Sequence, residues 1–178
     1  MEISSMDKYD DIIIREVAEE DAKDILNLIL EMSEESDNFP FTSEDYSMSA
    51  ENQKSFINYM HYMKNSIFYA AYADEGPVGI IYLEGGKRKR TFHVCNLGMG
   101  VKKKHWNKKI ATRLLEAALD FAFSNENIAK IDLQVRTDNA HAIKLYKKYG
   151  FEIEGKIKRA LFIDDKFYDY LSMGRLID

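Results

Sequence analysis

One short stretch of the chain carries most of the information about its architecture: residues 135–151 read VRTDNAHAIKLYKKYGF. The stretch begins at the end of a strand, because apolar and polar residues alternate over residues 131–135. Asp138 or Asn139 then caps a helix, and Gly150 supplies the left-handed position that often follows a helix. These features predict a strand, a helix and a sharp return of the chain.

The same patterns extend outward over the rest of the chain. Short runs rich in β-branched and aromatic residues predict strands, and apolar residues at helical spacing predict helices. The order of elements indicates an α/β (α+β) fold with a single mixed, mostly antiparallel sheet of about six or seven strands and helices on both faces. The predicted strands cover residues 12–17, 68–73, 78–83, 92–101, 131–135, 152–163 and 166–176, and the predicted helices cover 22–32, 50–63, a segment from 110 and a segment ending at 150.

Length and composition predict one domain over residues 1–178, of which residues 1–10 form a flexible extension. Cys95 is the only cysteine, so it forms no internal disulfide or zinc cluster, and its place within a strand predicts a small buried residue. We expect no metal site. Without a signal-peptide pattern or an apolar run of about 20 residues, we expect a cytoplasmic protein that does not bind membranes.

Charge is distributed unevenly along the chain. Residues 87–109 contain nine Lys or Arg and no acid, so a net charge of −5 leaves −14 on the remainder. A cationic segment on an acidic protein favours a small polyanion as ligand over a long nucleic acid, which the remainder would repel. Residues 1–51 hold sixteen acids and three bases, which indicates either an acidic groove for a cationic amine or, more commonly, a solvated helix face.

A basic loop leads directly into a predicted helix. Residues 102–109 include five lysines, and the helix begins at Ile110. Unpaired N–H groups and the positive end of the helix dipole bind anions, so the loop and helix together predict a pyrophosphate site. A solvated basic loop before an ordinary helix is an equally good interpretation of this spacing alone.

The order of residues in 139–151 resembles the signature of the GNAT acetyltransferase superfamily, with Asn139, then Ala142-Ile143-Lys144-Leu145-Tyr146, then Gly150-Phe151. Ile14-Arg15-Glu16 with Asp21 resembles the usual opening of the superfamily. The tail Glu154-Gly155-Lys156, with Tyr168-Asp169 and Met173, is similar to a subgroup that acylates small amines or protein N-termini. The coenzyme loop departs from the family pattern. Trp106 replaces its usual first polar residue, Lys109 replaces its usual first glycine, and only Ala111 keeps the small final position.

The resemblance implies the acyl-CoA N-acyltransferase fold and acetyl-CoA as the acyl donor. It implies that the strand Met99–Val101 offers backbone hydrogen bonds to the pantetheine arm, and that Gly98 and Gly100 leave room for its approach. Residues 107–112, from Asn107 to Thr112, would hold the pyrophosphate, and Asn139 would hold the pantetheine amide. The implied coenzyme-binding residues are Met99, Gly100, Val101, Trp106, Asn107, Lys108, Lys109, Ile110, Ala111, Thr112, Asn139, Ala142 and Tyr146.

The resemblance also implies catalytic roles. Tyr146 would donate a proton to the departing thiolate, since a phenol with a pKa of about 10 is protonated at neutral pH. The carboxylate that some relatives use as a base is Gln134 in this chain, which cannot act as one. By chain order either Glu84 or His93 is the base, and a chain of water molecules is the alternative. A backbone N–H near Met99 would stabilise the oxyanion.

The sequence therefore predicts an N-acetyltransferase that moves an acetyl group from acetyl-CoA to a primary amine of a small molecule or a protein N-terminus by direct attack in a ternary complex. Lys109 and the missing carboxylate favour an alternative, a catalytically inactive acyl-CoA-binding regulatory module. Nucleic-acid binding through residues 87–109 is the least favoured hypothesis because of the acidic remainder. Two copies could associate as a homodimer.

Overall fold

A computed structural model describes residues 11–178, and the extension predicted over residues 1–10 lies outside the described part. The helices and strands largely follow the predicted order. They are β1 Ile13–Glu16, α1 Ala22–Glu35, α2 Ala50–Tyr62, β2 Ile67–Ala73, β3 Gly76–Gly85, β4 Val94–Val101, α3 Ile110–Phe123, β5 Lys130–Arg136, α4 Ala140–Lys148, β6 Glu152–Ile163 and β7 Lys166–Leu176, with short 3-10 turns at Glu19–Asp21 and Lys103–His105.

The strands form one seven-stranded sheet in the order β1-β2-β3-β4-β5-β7-β6. Every neighbouring pair is antiparallel except β4 and β5, which run parallel because α3 connects them across one face. The predicted fold class, a single mixed and mostly antiparallel sheet with helices on both faces, is confirmed.

Alternation along β2 shows how the two faces of the sheet are covered. Ile67 and Ala71 belong to a core cluster that includes buried residues of α3, whereas Phe68 and Ala70 belong to a cluster with α1 and α2. Successive side chains of a strand point to opposite faces, so the sheet separates two apolar layers. We call these the α3/α4 face and the α1/α2 face.

The parallel pair is short, and this determines where a ligand can enter the sheet. β4 and β5 pair only at Val94↔Lys130, Cys95↔Ile131 and Asn96↔Asp132. Beyond Asn96, β4 continues to Val101 alongside β3 alone, and β5 continues alongside β7. Among the described residues, no strand pairs with the β5 side of residues 97–101, so a gap opens between the two diverging strands.

Local sequence explains the two sharpest turns. Asp164 and Asp165 both have positive φ, 48° and 59°, as a two-residue hairpin turn between β6 and β7 requires. Gly150 has φ 79° at the end of α4, where the Phe151 N–H donates to the Tyr146 carbonyl at 3.0 Å. The predicted Asp164-Asp165 turn and the glycine return are both confirmed.

Candidate active site

α4 positions two of the predicted site residues at the α3/α4 face. The side-chain oxygen of Asn139 accepts from the Ala142 N–H at 3.1 Å, so Asn139, and not Asp138, caps the helix. This bond uses the Oδ1 atom and leaves the Asn139 amide N–H₂ able to donate to a carbonyl. The cap therefore does not prevent the predicted contact with the pantetheine arm.

Tyr146 lies two turns further along α4, with its side chain buried. Its ring packs edge-on against Phe151, with 5.6 Å between the centroids, and shares a core cluster with Leu97 and Met99 of β4. Burial raises the pKa of the Tyr146 phenol, so the group carries its proton at neutral pH. No residue within 11–178 hydrogen-bonds the hydroxyl, and it is not among the polar atoms that the protein seals from solvent.

The loop before α3 adopts an unusual backbone conformation. Asn107 has φ 61° and Lys109, the N-cap of α3, has φ 59°, whereas Lys108 between them is not left-handed. Alternation of this kind turns successive N–H groups toward one concave surface, which binds anions. The unpaired N–H groups of the first turn, Ile110–Thr112, extend that surface. The loop thus has the backbone form of an anion site although glycine is absent from it.

Acidic side chains neutralise part of the predicted cationic loop. The Lys102 ammonium lies 2.6 Å from a Glu31 carboxylate oxygen of α1, and the Lys104 ammonium lies 2.9 Å from Glu75. His105 is also 2.8 Å from Glu75, and with Lys104 it lowers the pKa of that carboxyl to about 2. Lys108 and Lys109, the two lysines nearest to the start of α3, form no ion pair with an acid within residues 11–178.

The grouping of basic residues in segment 87–109 predicted a single cationic patch. The structure instead separates these residues into two groups. Residues 87–90 precede β4 and residues 102–109 follow it. β4 has eight residues, which at about 3.3 Å per residue separates the two groups by roughly 23 Å. Only the second group can serve the anion site.

Trp106 has a structural contact that the sequence did not indicate. Its indole N–H donates to the Val101 carbonyl at 2.7 Å, and this bond ties the loop to the end of β4. One of the backbone acceptors predicted for the pantetheine arm is therefore already engaged. Trp106 itself remains 43% exposed beside the anion site.

The two glycines of β4 do not leave empty space, and that prediction is wrong. A Cβ on Gly98 would lie 2.3 Å from the Tyr82 ring, and one on Gly100 would lie 2.8 Å from Phe39. Side chains of this chain occupy both places, on the α1/α2 face. The open route to β4 is consequently its unpaired edge toward β5.

The candidate bases lie at different distances along the strands. Glu84 on β3 pairs with Asn96, so it is three residue steps, roughly 10 Å, from the level of Met99. His93 precedes β4 and is exposed, six residues or up to roughly 20 Å from Met99. The structure brings Glu84 to the point where the strands diverge and leaves His93 at the far end.

Arg15 and Cys95, which stand out in the sequence, contribute to packing and local structure away from the candidate site. Arg15 forms an ion pair with Asp21 at 2.7 Å, which fixes the start of the chain's first helical region. Cys95 is fully buried, and burial raises the pKa of its thiol to about 12, which confirms a packing role. Within residues 11–178, no helix has the length and apolarity to cross a membrane, and no three His, Cys, Asp or Glu side chains are grouped to hold a metal.

An open strand edge that ends at the start of α3, with a buried and protonated phenol beside it, has the shape that suits an extended donor with a phosphate-bearing end. This site on a single mixed sheet is typical of the class of proteins that transfer a chemical group from a bound donor. The chain belongs to the acetyltransferase (GNAT) family, whose family model matches residues 27–151.

Individual relatives agree with this assignment. The chain is 34% identical over 103 residues to the L-amino acid N-acetyltransferase AaaT of Escherichia coli (strain K12), and the match covers 58% of this chain and 64% of AaaT. It is 28% identical over 98 residues to the spermidine N(1)-acetyltransferase of the same organism, and this match covers 55% of this chain and 50% of that enzyme. The chain thus spans about half to two thirds of the curated relatives it matches.

A solved structure covers nearly the whole chain. The acetyltransferase of GNAT family from Streptococcus pneumoniae superposes with a TM-score of 0.90 and 30% identity, over 94% of this chain and 99% of that one. The superposition covers a larger share of the chain than the curated relatives match, so the family assignment extends beyond their matched segments.

Proposed function

We propose that this protein transfers an acetyl group from acetyl-CoA to a primary amine. The divergence of β4 and β5 after Asn96 carries the proposal, because it exposes a strand edge to which a pantetheine arm can bind like an added strand. The acceptor and donor would meet in this gap, so the acetyl group would pass directly between them in a ternary complex.

The anion site fits the diphosphate of the coenzyme. The N–H groups of residues 107–112 would converge on it, and Lys108 and Lys109 would supply positive charge. Neither lysine has an acidic partner among the described residues. Met99 and Gly100 would bind the pantetheine arm through their backbone, and Asn139 and Ala142 would lie beside it on α4. Trp106 would border the diphosphate while it holds the loop.

The reaction requires a proton to leave the amine before attack. An alkyl ammonium with a pKa of about 10.4 is roughly 0.04% neutral at pH 7, which corresponds to roughly 4.6 kcal/mol. Tyr146 would protonate the departing thiolate from the α3/α4 face, since its hydroxyl is protonated and has no hydrogen-bond partner in the described chain. The Met99 N–H would stabilise the oxyanion.

For the base we favour Glu84 over His93, because Glu84 lies nearer to the level of Met99. Its carboxylate is 3.5 Å from the Lys87 ammonium, a loose and partly exposed contact that does not fix the carboxylate in one position. Asp132 also faces this side of the gap, but the Lys130 ammonium holds it at 2.9 Å. Gln134 lies exposed on the same strand and cannot act as a base.

The acceptor is proposed to be a small-molecule amine, since the two curated relatives act on L-amino acids and on spermidine. A protein N-terminus is the second acceptor class, supported by the likeness of the tail residues. The acids Glu31 and Glu35 of α1 are engaged by Lys102 and by the Lys103 N–H, so they are less available to attract a cationic acceptor.

Thiol release tests the proposal. Purified protein with acetyl-CoA and a panel of L-amino acids, polyamines and N-terminal peptides should release free coenzyme A only when an amine is present. Binding of coenzyme A should be measured in parallel by calorimetry. Binding without release on any amine would favour the inactive regulatory module, and absence of binding would refute both.

A further inference from the structure

Tyr82 occupies a position on β3 that the reaction can use. It pairs with Gly98 of β4, and the Cβ that this glycine lacks would lie 2.4 Å from the Tyr82 hydroxyl oxygen. The phenol therefore lies across β4 on the α1/α2 face. Gly98 lies one residue before Met99 and after Asn96, the last residue of β4 that pairs with β5.

The Tyr82 ring is held firmly while its hydroxyl is not. The ring packs edge-on against Phe56 and Phe68, with 6.2 and 5.9 Å between the centroids. The hydroxyl makes no hydrogen bond with any residue from 11 to 178, and unlike the Tyr59 hydroxyl it is not sealed from solvent. A half-buried phenol on a rigid support normally finds a hydrogen-bond partner, and here a ligand can provide it.

Glu84 lies on the same face of β3, two residues after Tyr82. The Cα atoms of same-face neighbours along a strand are roughly 7 Å apart, and two such side chains that lean toward each other bring their oxygens within the roughly 5.6 Å that one water molecule spans. Burial, and secondarily the negative charge of Glu84, raise the pKa of Tyr82, so the phenol is protonated at neutral pH. The other groups nearby are Tyr46 of the α1–α2 loop and Lys87 beside Glu84.

We propose that the Tyr82 hydroxyl contacts the attacking amine and relays its proton through a water molecule to Glu84. As an N–H bond of the amine breaks, an O–H bond forms on the Tyr82 oxygen. The original phenol proton passes to the water molecule, which gives one of its own protons to the Glu84 carboxylate. The inference rests on the proposed acetyl transfer and adds a catalytic residue to it. Tyr82 would act from the α1/α2 face while Tyr146 acts from the opposite face.

Paired variants test the relay. With an amine that the wild-type protein acetylates, Tyr82→Phe should lower kcat at least tenfold, because general acid–base contributions are about 10²-fold or more. The Phe ring keeps the aromatic contacts, so the Tm and the affinity for coenzyme A should stay unchanged. Tyr59→Phe is the matched control, since Tyr59 packs in the same cluster and its hydroxyl also lacks a partner.

Glu84→Gln and the double variant make the test specific. If the two groups act in one relay, Glu84→Gln should lower kcat to a similar extent, and the double variant should be no slower than the slower single variant. A Tyr82→Phe rate within twofold of the wild type, or multiplicative losses in the double variant, would overturn the relay and leave acetyl transfer intact. A wild-type protein that releases no thiol with any amine would overturn both.

Discussion

The backbone at Lys109 provides a quantitative test of how the anion site is built. Lys109 caps α3 with φ 59° and ψ 9°, a conformation that glycine adopts without strain and other residues adopt at a cost. Its side chain is exposed, so truncation removes little packing. Comparing Lys109→Gly with Lys109→Ala isolates the backbone effect, because both variants lose the same charged side chain.

The expected difference follows from two opposing contributions. The left-handed region costs a non-glycine residue about 1–2 kcal/mol, and glycine costs about 0.5–1 kcal/mol relative to alanine through the entropy of the unfolded chain. The Gly variant should therefore be more stable than the Ala variant by roughly 0.5–1 kcal/mol. For a chain of 178 residues this corresponds to a Tm difference of roughly 1–4 °C.

Thermal and urea unfolding, followed by circular dichroism, measure this difference. Lys108 is the matched control, because its φ is not positive and the order should reverse there, with Lys108→Gly less stable than Lys108→Ala. If the Gly variant were less stable than the Ala variant at position 109 as well as at position 108, Lys109 would not adopt the left-handed conformation. The account of the anion site by alternating backbone handedness would then be wrong.

Three further perturbations test other parts of the structure. Tyr146→Phe should lower turnover at least tenfold with unchanged coenzyme affinity, and wild-type turnover in the variant would remove Tyr146 from the mechanism. Gly98→Ala should destabilise the fold by about 1–3 kcal/mol in urea unfolding, because the new Cβ would lie 2.3 Å from an aromatic ring; an unchanged midpoint would show that the ring is mobile. By NMR the Glu75 carboxyl should titrate near pH 2, since Lys104 and His105 hydrogen-bond its charged form; its stabilising contribution is present above pH 4.5 and is lost as the pH falls through about 2. Replacing Lys104 and His105 by Ala should return its midpoint toward 4.5, and a midpoint near 4.5 already in the wild type would contradict these contacts.

The sequence was sufficient for those elements that local chemistry specifies. Asp164 and Asp165 tolerate positive φ, and Gly150 does so without cost, so both turns could be placed before the structure was known. The strands of residues 152–163 and 166–176 agree with the observed β6 and β7 because a tight turn between them fixes their register. Local signals were reliable wherever the partner lay close in sequence.

Contacts between distant segments could not be predicted in the same way. The loop that joins β3 and β4 is long, so no local pattern determines the register that places Tyr82 over Gly98. The same limit hid the pairing of Lys102 with Glu31, which lie on separate elements. The glycines at 98 and 100, two residues apart in one strand, were the available signal that one face of β4 accommodates side chains from elsewhere.

The departures of the coenzyme loop from the family pattern can now be given a physical meaning. Glycine is usual in such loops because it adopts positive φ, yet here Asn107 and Lys109 adopt the same conformation with side chains attached. The function of an anion-binding loop depends on the direction of its N–H groups, which the backbone sets, and a side chain adds strain without changing that direction. A loop that lacks the expected glycines can thus keep the backbone form of an anion site at a cost in stability, and the stability of the Lys109 variants tests whether the loop has that form.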